Sequence, residues 1–236
     1  MKITVIIPMY NESTIIEKTA LALSKYMNKT FESYEIIFFD DGSTDNSVQI
    51  VKALSLPCVR VIEGVTNKGK GSAVRNAMLL ADGDLRVFTD ADLAYGTEVI
   101  GRAYDEMQKN DQADVLIGSR NLDPEGYQGY TVSRRIMSKL YIKVLCIIGG
   151  LKLSDSQCGF KAFTADAAND IFSKCKVDGF AFDFEIILLA NEQKRAIIEM
   201  PVKIINHRNS TVHPLGDAIH MLKDLRKIKK SIKSKH

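Results

Sequence analysis

Along the first half of the chain, short apolar runs alternate with longer stretches of helical period. Ile3–Pro8, Glu35–Asp40, Val59–Glu63, Leu85–Thr89 and Asp114–Gly118 are short and rich in Val, Ile and Phe, which predicts strands. Between them, Thr14–Met27, Thr44–Leu54, Ser72–Ala81 and Gly96–Lys109 space their apolar residues as helices do, with Ser13 and Ser43 where N-caps belong. Strands separated by helices predict βαβ units, hence an α/β fold whose mainly parallel sheet has helices on both faces. Ligands of such sheets sit beyond the carboxyl ends of the strands. The second half is less regular. Asn121–Thr131 is a polar loop, followed by a helix from Ser133 to about Ile148, helices at Thr164–Phe172 and Asp183–Gln193, an extended segment Ile197–Asn206 and a final helix from about Leu215. No linker or repeat interrupts the pattern, so 1–236 is expected to be one domain. Its parts are a ligand-binding half (1–120), a second half (121–214) and a terminal helix (215–236).

Composition narrows the class without naming it. Apolar residues make up 45% and charged residues 26% of 236, the balance of an ordinary folded domain. The net charge of +3 is too small to argue for nucleic acid, but it is unevenly placed. From Leu222 to His236 seven basic residues face Asp224 alone, a net +6, and the body before them is slightly acidic. Cys58, Cys146, Cys158 and Cys175 form neither a C-x-x-C pair nor a zinc spacing, which predicts reduced thiols and a cytoplasmic protein. The longest apolar stretch, Val144–Leu151, is far short of the roughly 20 residues a spanning helix needs.

Unusual residues gather at the predicted strand ends. Pro8 cannot donate to a ladder and is expected to end the first strand, leaving Tyr10, Asn11 and Glu12 at the sheet edge. The second strand ends in Asp40 and Asp41. Adjacent carboxylates repel unless something uses them: Asp41 could accept a uracil N–H or ribose hydroxyls, or Asp41 or Ser43 could cap the next helix. Gly64–Ser72 nearly matches a P-loop, but Gly71 stands where the metal-binding hydroxyl belongs. What remains is a glycine-rich turn with Lys68 and Lys70 at a helix N-terminus, an arrangement friendly to anions. After the fourth strand come Asp90, Ala91 and Asp92. In an extended segment Asp90 and Asp92 face one side, where paired hard oxygens suit Mg²⁺ or Mn²⁺.

Taken together, Val5-Ile6-Ile7-Pro8-Met9-Tyr10-Asn11-Glu12, Asp40-Asp41-Gly42-Ser43-Thr44-Asp45, Asn67-Lys68-Gly69-Lys70-Gly71 and Thr89-Asp90-Ala91-Asp92-Leu93 resemble glycosyltransferase family 2, with its GT-A fold. The resemblance continues through Gly118-Ser119-Arg120, Asp155-Ser156-Gln157-Cys158-Gly159-Phe160-Lys161, Phe180–Glu185 and Ser210–Pro214. These later motifs are similar to the dolichyl-phosphate β-glucosyltransferase branch and related polyprenyl-phosphate transferases. Two departures matter. Related mannose synthases often carry a metal-holding glutamine where this chain has Ala94, and many bacterial members end in transmembrane helices that are not found here.

The resemblance implies an inverting, metal-dependent hexosyltransferase. Its donor would be a nucleotide sugar, UDP-glucose foremost, held by Pro8, Tyr10, Glu12, Asp41, Lys70, Asp90, Ala91 and Asp92. The acceptor would be a polyprenyl or dolichyl phosphate, with Mg²⁺ or Mn²⁺ on Asp90 and Asp92. A phosphate monoester is already largely dianionic at neutral pH and attacks unaided if cations align it. Arg120, Arg134 and Arg135 suit that task, although the last two could equally face solvent. Lys70 and Lys161 could add positive charge near the leaving diphosphate. If the acceptor is instead a glycan hydroxyl, a base is needed. Asp155 and Asp183 are then candidates, with capping or orienting Lys161 as their structural alternative. His213 either touches the diphosphate or packs on Pro214. Phe160, Phe163, Phe180, Phe182 and Phe184 are expected in the core or the acceptor groove.

The tail fits this scheme. Met221, Leu225, Ile228 and Ile232 recur at helical spacing, with Lys223, Arg226, Lys227 and Lys230 largely on other faces. A basic amphipathic helix of this kind lies on anionic membranes, which predicts a peripheral enzyme on the inner, cytoplasmic face of a membrane.

Overall fold

In the computed structural model, which describes residues 1–179 and 181–206, the apolar runs become strands, four of them buried on both faces and Val59–Glu63 an edge strand left partly exposed. In chain order the elements are β1 (Ile3–Met9), α1 (Ile16–Thr30), β2 (Tyr34–Asp40), α2 (Ser47–Ala53), β3 (Val59–Glu63), α3 (Lys70–Leu80) and β4 (Leu85–Phe88). Then follow α4 (Glu98–Lys109), β5 (Val115–Ser119), α5 (Val132–Gly149), β6 (Lys161–Thr164), α6 (Ala165–Phe172), α7 (Phe182–Glu192) and β7 (Ile197–Pro201). The seven strands form one sheet in the order β3-β2-β1-β4-β6-β5-β7. β3, β2, β1 and β4 are parallel, β6 runs antiparallel to both β4 and β5, and β7 is parallel to β5.

Alternation along each strand divides the core in two. Ile3, Val5 and Ile7 of β1 and Ile36 and Phe38 of β2 face the layer that holds α1, α2 and α4. Ile6, Ile37 and Phe88 face the opposite layer, formed by α3, α6 and α7. This is the expected α/β architecture, a mixed and mainly parallel sheet covered on both faces. Phe160 and Phe163 lie in the core, one in each layer, and Phe182 and Phe184 are buried as well.

Three expectations change. β6 is a strand that periodicity did not announce, because four residues beginning with a lysine carry no alternating signal. Thr164, expected to open a helix, closes β6 and caps α6, its hydroxyl accepting from the Ala167 amide at 3.3 Å. Pro8 does not end β1, which runs on to Met9 opposite Asp40 of β2. β4 pairs with β1 only as far as Ile6, so the donor that proline lacks falls where the neighbouring strand has already stopped. Ser13 and Ser43 cap nothing. The helices begin later, at Ile16 and Ser47, and the two serines join loops instead. The predicted terminal helix from Leu215, its basic and apolar faces, the Ser210–Pro214 motif with His213, and Phe180 lie outside the described residues. Among those described, no helix is long and apolar enough to cross a membrane.

The loops after β1 and β2 are laced together. The Asn11 amide donates to Ser43 Oγ at 2.9 Å, Thr44 N to Asn11 Oδ1 at 2.9 Å, and Glu12 N to Ser47 Oγ at 2.8 Å. Asp45 closes the knot, accepting from Ser13 N at 3.0 Å and from the Ser47 amide at 3.0 Å. Partial burial works against its charge, but these donors from Ser47 and Ser13 outweigh it and bring its pKa down to about 2. Because the folded value lies below the unfolded one, this stabilisation is complete above about pH 4 and is lost as pH falls through about 2. Asp45→Asn should therefore lower the urea midpoint at neutral pH, by roughly 1–2 kcal/mol of stability. The gap to the parent should narrow steadily below pH 4, as urea titrations across that range would show.

Candidate active site

The carboxyl edge of β1, β2 and β4 gathers most of the expected residues. Tyr10 stands exposed beyond β1, and Glu12 lies beside it with its carbonyl accepting the first amides of the α1 turn. Asp40 and Asp41 are both buried. Asp40 Oδ2 accepts from the Gly42 and Ser43 amides, whereas Asp40 Oδ1 has no partner among the described residues. Asp41 caps no helix. It receives the Lys68 amide at 3.1 Å and the Gly69 amide at 2.7 Å, one on each oxygen, and so holds the glycine-rich loop to β2. Each of those oxygens retains a second lone pair.

That loop is not the open anion cradle expected of it. The amides of Lys68 and Gly69 go to Asp41, and those of Gly71 and Ser72 go to the Asp178 carbonyl, so the start of α3 offers few free N–H groups. The glycines serve close packing instead. A Cβ on Gly69 or Gly71 would lie 2.5 Å from a carbonyl oxygen of Asp178 or Val177. Lys68 is exposed. What this segment contributes is the Lys70 ammonium, which is bonded to Asp90 Oδ1. Burial opposes the charge on Lys70, but Asp90, Asp183 and Asp92 together hold its pKa above the ordinary lysine value.

Asp90 and Asp92 meet by a different route from the expected one. β4 has ended at Phe88, and Asp90–Leu93 is a turn closed by the Leu93 amide on the Asp90 carbonyl at 3.0 Å. The turn, not an extended alternation, brings both carboxylates toward Lys70. Ala91 between them is buried, its carbonyl accepting from the Thr19 hydroxyl at 2.5 Å. At Ala94 the main chain carries the contacts. Its amide donates to Asp92 Oδ1 at 3.0 Å, and its carbonyl accepts from Ile205 N at 2.8 Å. Gly159 completes the site from the other side, since a Cβ there would lie 2.3 Å from Asp90 Oδ2. Its missing side chain is what leaves that oxygen room. This residue stood in a quoted motif, yet only the structure reveals its steric role.

Beneath the cluster lies a buried ion pair. Lys161 opens β6 with no exposed surface, and its ammonium donates to Asp183 Oδ1 at 2.5 Å and to the Cys158 carbonyl at 2.7 Å. It also lies 5.4 Å from the centre of the Phe88 ring. A charge so thoroughly enclosed cannot reach a diphosphate, so its expected direct role is corrected to a positioning one. Asp183 is in turn committed to orienting Lys161 and is not a free base.

Arg120 and Asp155, 35 residues apart, form a second enclosed pair. Nε and one terminal nitrogen of the guanidinium meet the two carboxylate oxygens at 2.7 and 2.9 Å. Burial opposes this charge too, yet Asp155 raises the Arg120 pKa well above its usual value. Asp155, with no exposed surface and both oxygens engaged, is not available as a base. Arg120 is correspondingly no free phosphate clamp. It faces the ring of Tyr127 at 5.3 Å, however, and Arg135 and Lys139 approach the same ring at 5.7 Å each. Arg135 and Lys139 are exposed and form no ion pair among the described residues. The structure thus gathers Arg120 and Arg135 as the sequence suggested and adds Lys139, one helical turn beyond Arg135. Arg134 lies in α5.

The order of these motifs, at the ends of successive strands on this sheet, matches a known family. The model of the family described as glycosyl transferase family 2 fits residues 4–172. The chain belongs to glycosyltransferase family 2. Among relatives of this glycosyltransferase are the dolichyl-phosphate β-glucosyltransferases of Dictyostelium discoideum and Saccharomyces cerevisiae. The first is 31% identical over 96% of this chain and 73% of its own length, the second 32% over 94% and 72%. The human dolichyl-phosphate β-glucosyltransferase is 30% identical over 95% and 74%. In fold, the enzyme is similar to glucosyl-3-phosphoglycerate synthase from Mycobacterium tuberculosis. The crystal structure of that protein with Mn²⁺, UDP and phosphoglyceric acid superposes with a TM-score of 0.74 at 19% identity, covering 98% of this chain and 78% of the other. Its complex with Mg²⁺ and UDP superposes with a TM-score of 0.70 at 18% identity, over 98% and 79%.

The buried pair supports this glycosyltransferase's site from below, and its stability cost can be measured. Lys161→Met leaves the Asp183 carboxylate without its cation and should cost about 3–5 kcal/mol, whereas Lys161→Met with Asp183→Leu should recover much of that loss. Urea unfolding of the two variants beside the parent reads the difference.

Proposed function

We propose that this enzyme transfers glucose from a uridine diphosphate sugar to the phosphate of a membrane-borne polyprenol. The observation that carries this reading concerns bases. A sugar hydroxyl acceptor requires a carboxylate to take its proton. The two carboxylates that could have served, Asp155 and Asp183, are each committed to a buried cation. A phosphate monoester needs no base, only cations to align it. Arg135 and Lys139, converging with Arg120 on the Tyr127 ring, supply such a group. The names of the relatives point to the same acceptor chemistry.

On this reading the donor lies over the carboxyl edge, its nucleotide near Tyr10, Glu12 and Asp41 and its diphosphate near Lys70. Asp90 and Asp92 fit a divalent cation. They are hard oxygen donors, Gly159 leaves Asp90 Oδ2 unobstructed, and Mg²⁺ is commonly held by one or two carboxylates with substrate phosphates completing its shell. Bound there, Mg²⁺ or Mn²⁺ would neutralise charge developing on the leaving diphosphate. Lys70, released from Asp90 when that carboxylate takes another partner, turns its ammonium to the same oxygens. An acceptor phosphate oxygen forms the new bond to the anomeric carbon as the bond to the diphosphate breaks. The carbon inverts, giving a β-linked product from an α-linked donor, and no proton moves. The donor is water-soluble and the acceptor lipid-borne, so the reaction belongs at the inner, cytoplasmic surface of a membrane. The +6 segment after Met221 suits that location.

Purified protein with Mg²⁺, UDP-glucose and polyprenyl phosphate should yield a glucolipid labile to mild acid. Absence of transfer from every common nucleotide sugar would overturn the reading, and an acid-resistant product on a glycan would favour a hydroxyl acceptor. Asp92→Asn should lower kcat by about 100-fold or more with the fold intact by circular dichroism. Arg135→Ala and Lys139→Ala should each raise KM for the lipid phosphate roughly tenfold while leaving KM for UDP-glucose near the parent value.

A further inference from the structure

The turn that carries Asp90 and Asp92 holds a leucine in a conformation that leucine rarely adopts. Leu93 has φ +47°, in the left-handed region where a Cβ crowds the following carbonyl. Its amide closes the turn on the Asp90 carbonyl at 3.0 Å, so the approach of the two acidic residues depends on that conformation. A residue in such a region keeps its place only when its surroundings over-determine it. Within the turn, the Gly96 amide adds one bond to the Leu93 carbonyl at 2.8 Å. The other restraints come from far along the chain.

Residues 205 and 206 supply most of them. The amides of Ile205 and Asn206 both donate to the Ala94 carbonyl, at 2.8 and 3.2 Å. The Asn206 side chain reaches further back. Its Nδ2 donates to the Leu93 carbonyl at 2.8 Å, 113 positions away, and at 3.4 Å to the Asp92 carbonyl. These are the carbonyls on either side of Leu93, so one carboxamide spans the strained residue. The strand extension beyond β7 brings it there. Val202 N donates to the Ser119 carbonyl at 3.0 Å, and Val202 and Ile204 alternate into the buried layer that holds Ala91, Leu93 and Tyr95. Gly96, at φ +74°, leaves room for the crossing, since a Cβ there would lie 2.6 Å from Ile205 Cδ1.

The chemistry of the side chain suits a neighbour of a cation site. A lysine would set a charge of the cation's own sign beside it. An aspartate would turn oxygens toward two carbonyl oxygens. A carboxamide donates twice and carries no charge.

We infer that Asn206 is a positioning residue for the acidic turn, its carboxamide holding Leu93 left-handed and thereby keeping Asp90 and Asp92 on a common cation. The inference rests on the reading that those two carboxylates take Mg²⁺ or Mn²⁺. The two main-chain bonds to Ala94 survive truncation of the side chain, so Asn206→Ala removes the carboxamide and leaves the segment seated.

Mn²⁺ binding to the full chain, followed by the electron paramagnetic resonance of the free ion with UDP present, tests this without any sugar transfer. Asn206→Ala should raise the Mn²⁺ dissociation constant roughly tenfold or more, as loss of a group that orients metal ligands commonly does. UDP affinity in the absence of metal should stay at the parent value, and the urea midpoint should stay close to it. Asn206→Asp should weaken Mn²⁺ binding as much, although it adds a negative charge. Tighter binding by that variant would mean that the position acts through charge, and would overturn the inference. So would unchanged Mn²⁺ affinity in Asn206→Ala beside a lowered urea midpoint, the mark of an ordinary structural tie. Asp92→Asn separates the two claims. If it abolishes Mn²⁺ binding while Asn206→Ala does not, the positioning role alone fails. If Mn²⁺ still binds to Asp92→Asn, or the parent binds none, the cation site is misplaced and both readings fall.

Discussion

An ammonium with no exposed surface has to be met by a carboxylate or leave its charge behind, and Lys161 is such a group at the centre of the sheet. It sits at the start of β6, the strand inserted antiparallel between β4 and β5. Its partner Asp183 opens α7, and its second acceptor is the Cys158 carbonyl in the loop entering β6. One buried charge thereby fixes three pieces of chain relative to one another. The loop it holds is the one whose Gly159 backs onto Asp90.

The site around it alternates in sign. Lys70 lies on Asp90, Lys161 on Asp183, and Arg120 on Asp155. The two enclosed pairs are stiff supports with almost no surface open to solvent. The Lys70–Asp90 pair is partly open to solvent, with side-chain exposures of 20 and 33%, and is the one able to exchange partners. Burial therefore sorts three similar ion pairs into two that are closed off and one that stays accessible. Cys158 between the enclosed pairs stays a thiol, burial pushing its pKa up to about 11.

Much of this was legible in the sequence, for a definable reason. The strands β1 to β5 announce themselves by local period, and residues at their carboxyl ends must meet at one edge whatever the details of packing. The same reasoning places Tyr10, Glu12, Asp41, Asp90 and Asp92 at that edge, and they lie there in the fold. What escaped was set by contacts between distant residues. A lysine inside β6 hides the strand, since no local pattern shows that its charge is paired 22 positions later. Arg120 resembles a phosphate ligand until Asp155 closes on it. The glycine-rich loop suggests an anion site until Asp41 and the Asp178 carbonyl take its amides. In each case the sequence displays the polar group, and only the fold shows which partner reaches it first.

The loop from Asp155 to Gly159 deserves to be considered as a length. Asp155 at one end is fastened to Arg120, beneath the ring where the cations gather, and Gly159 at the other rests against Asp90. The separation between the Tyr127 cluster and the Asp90 turn is thus spanned by a single short run of backbone pinned at both ends, which acts as a ruler. In the proposed reaction the sugar ring would have to fit that gauge. Lengthening the run by one residue would alter which ring is measured correctly, without changing any side chain that touches donor or acceptor.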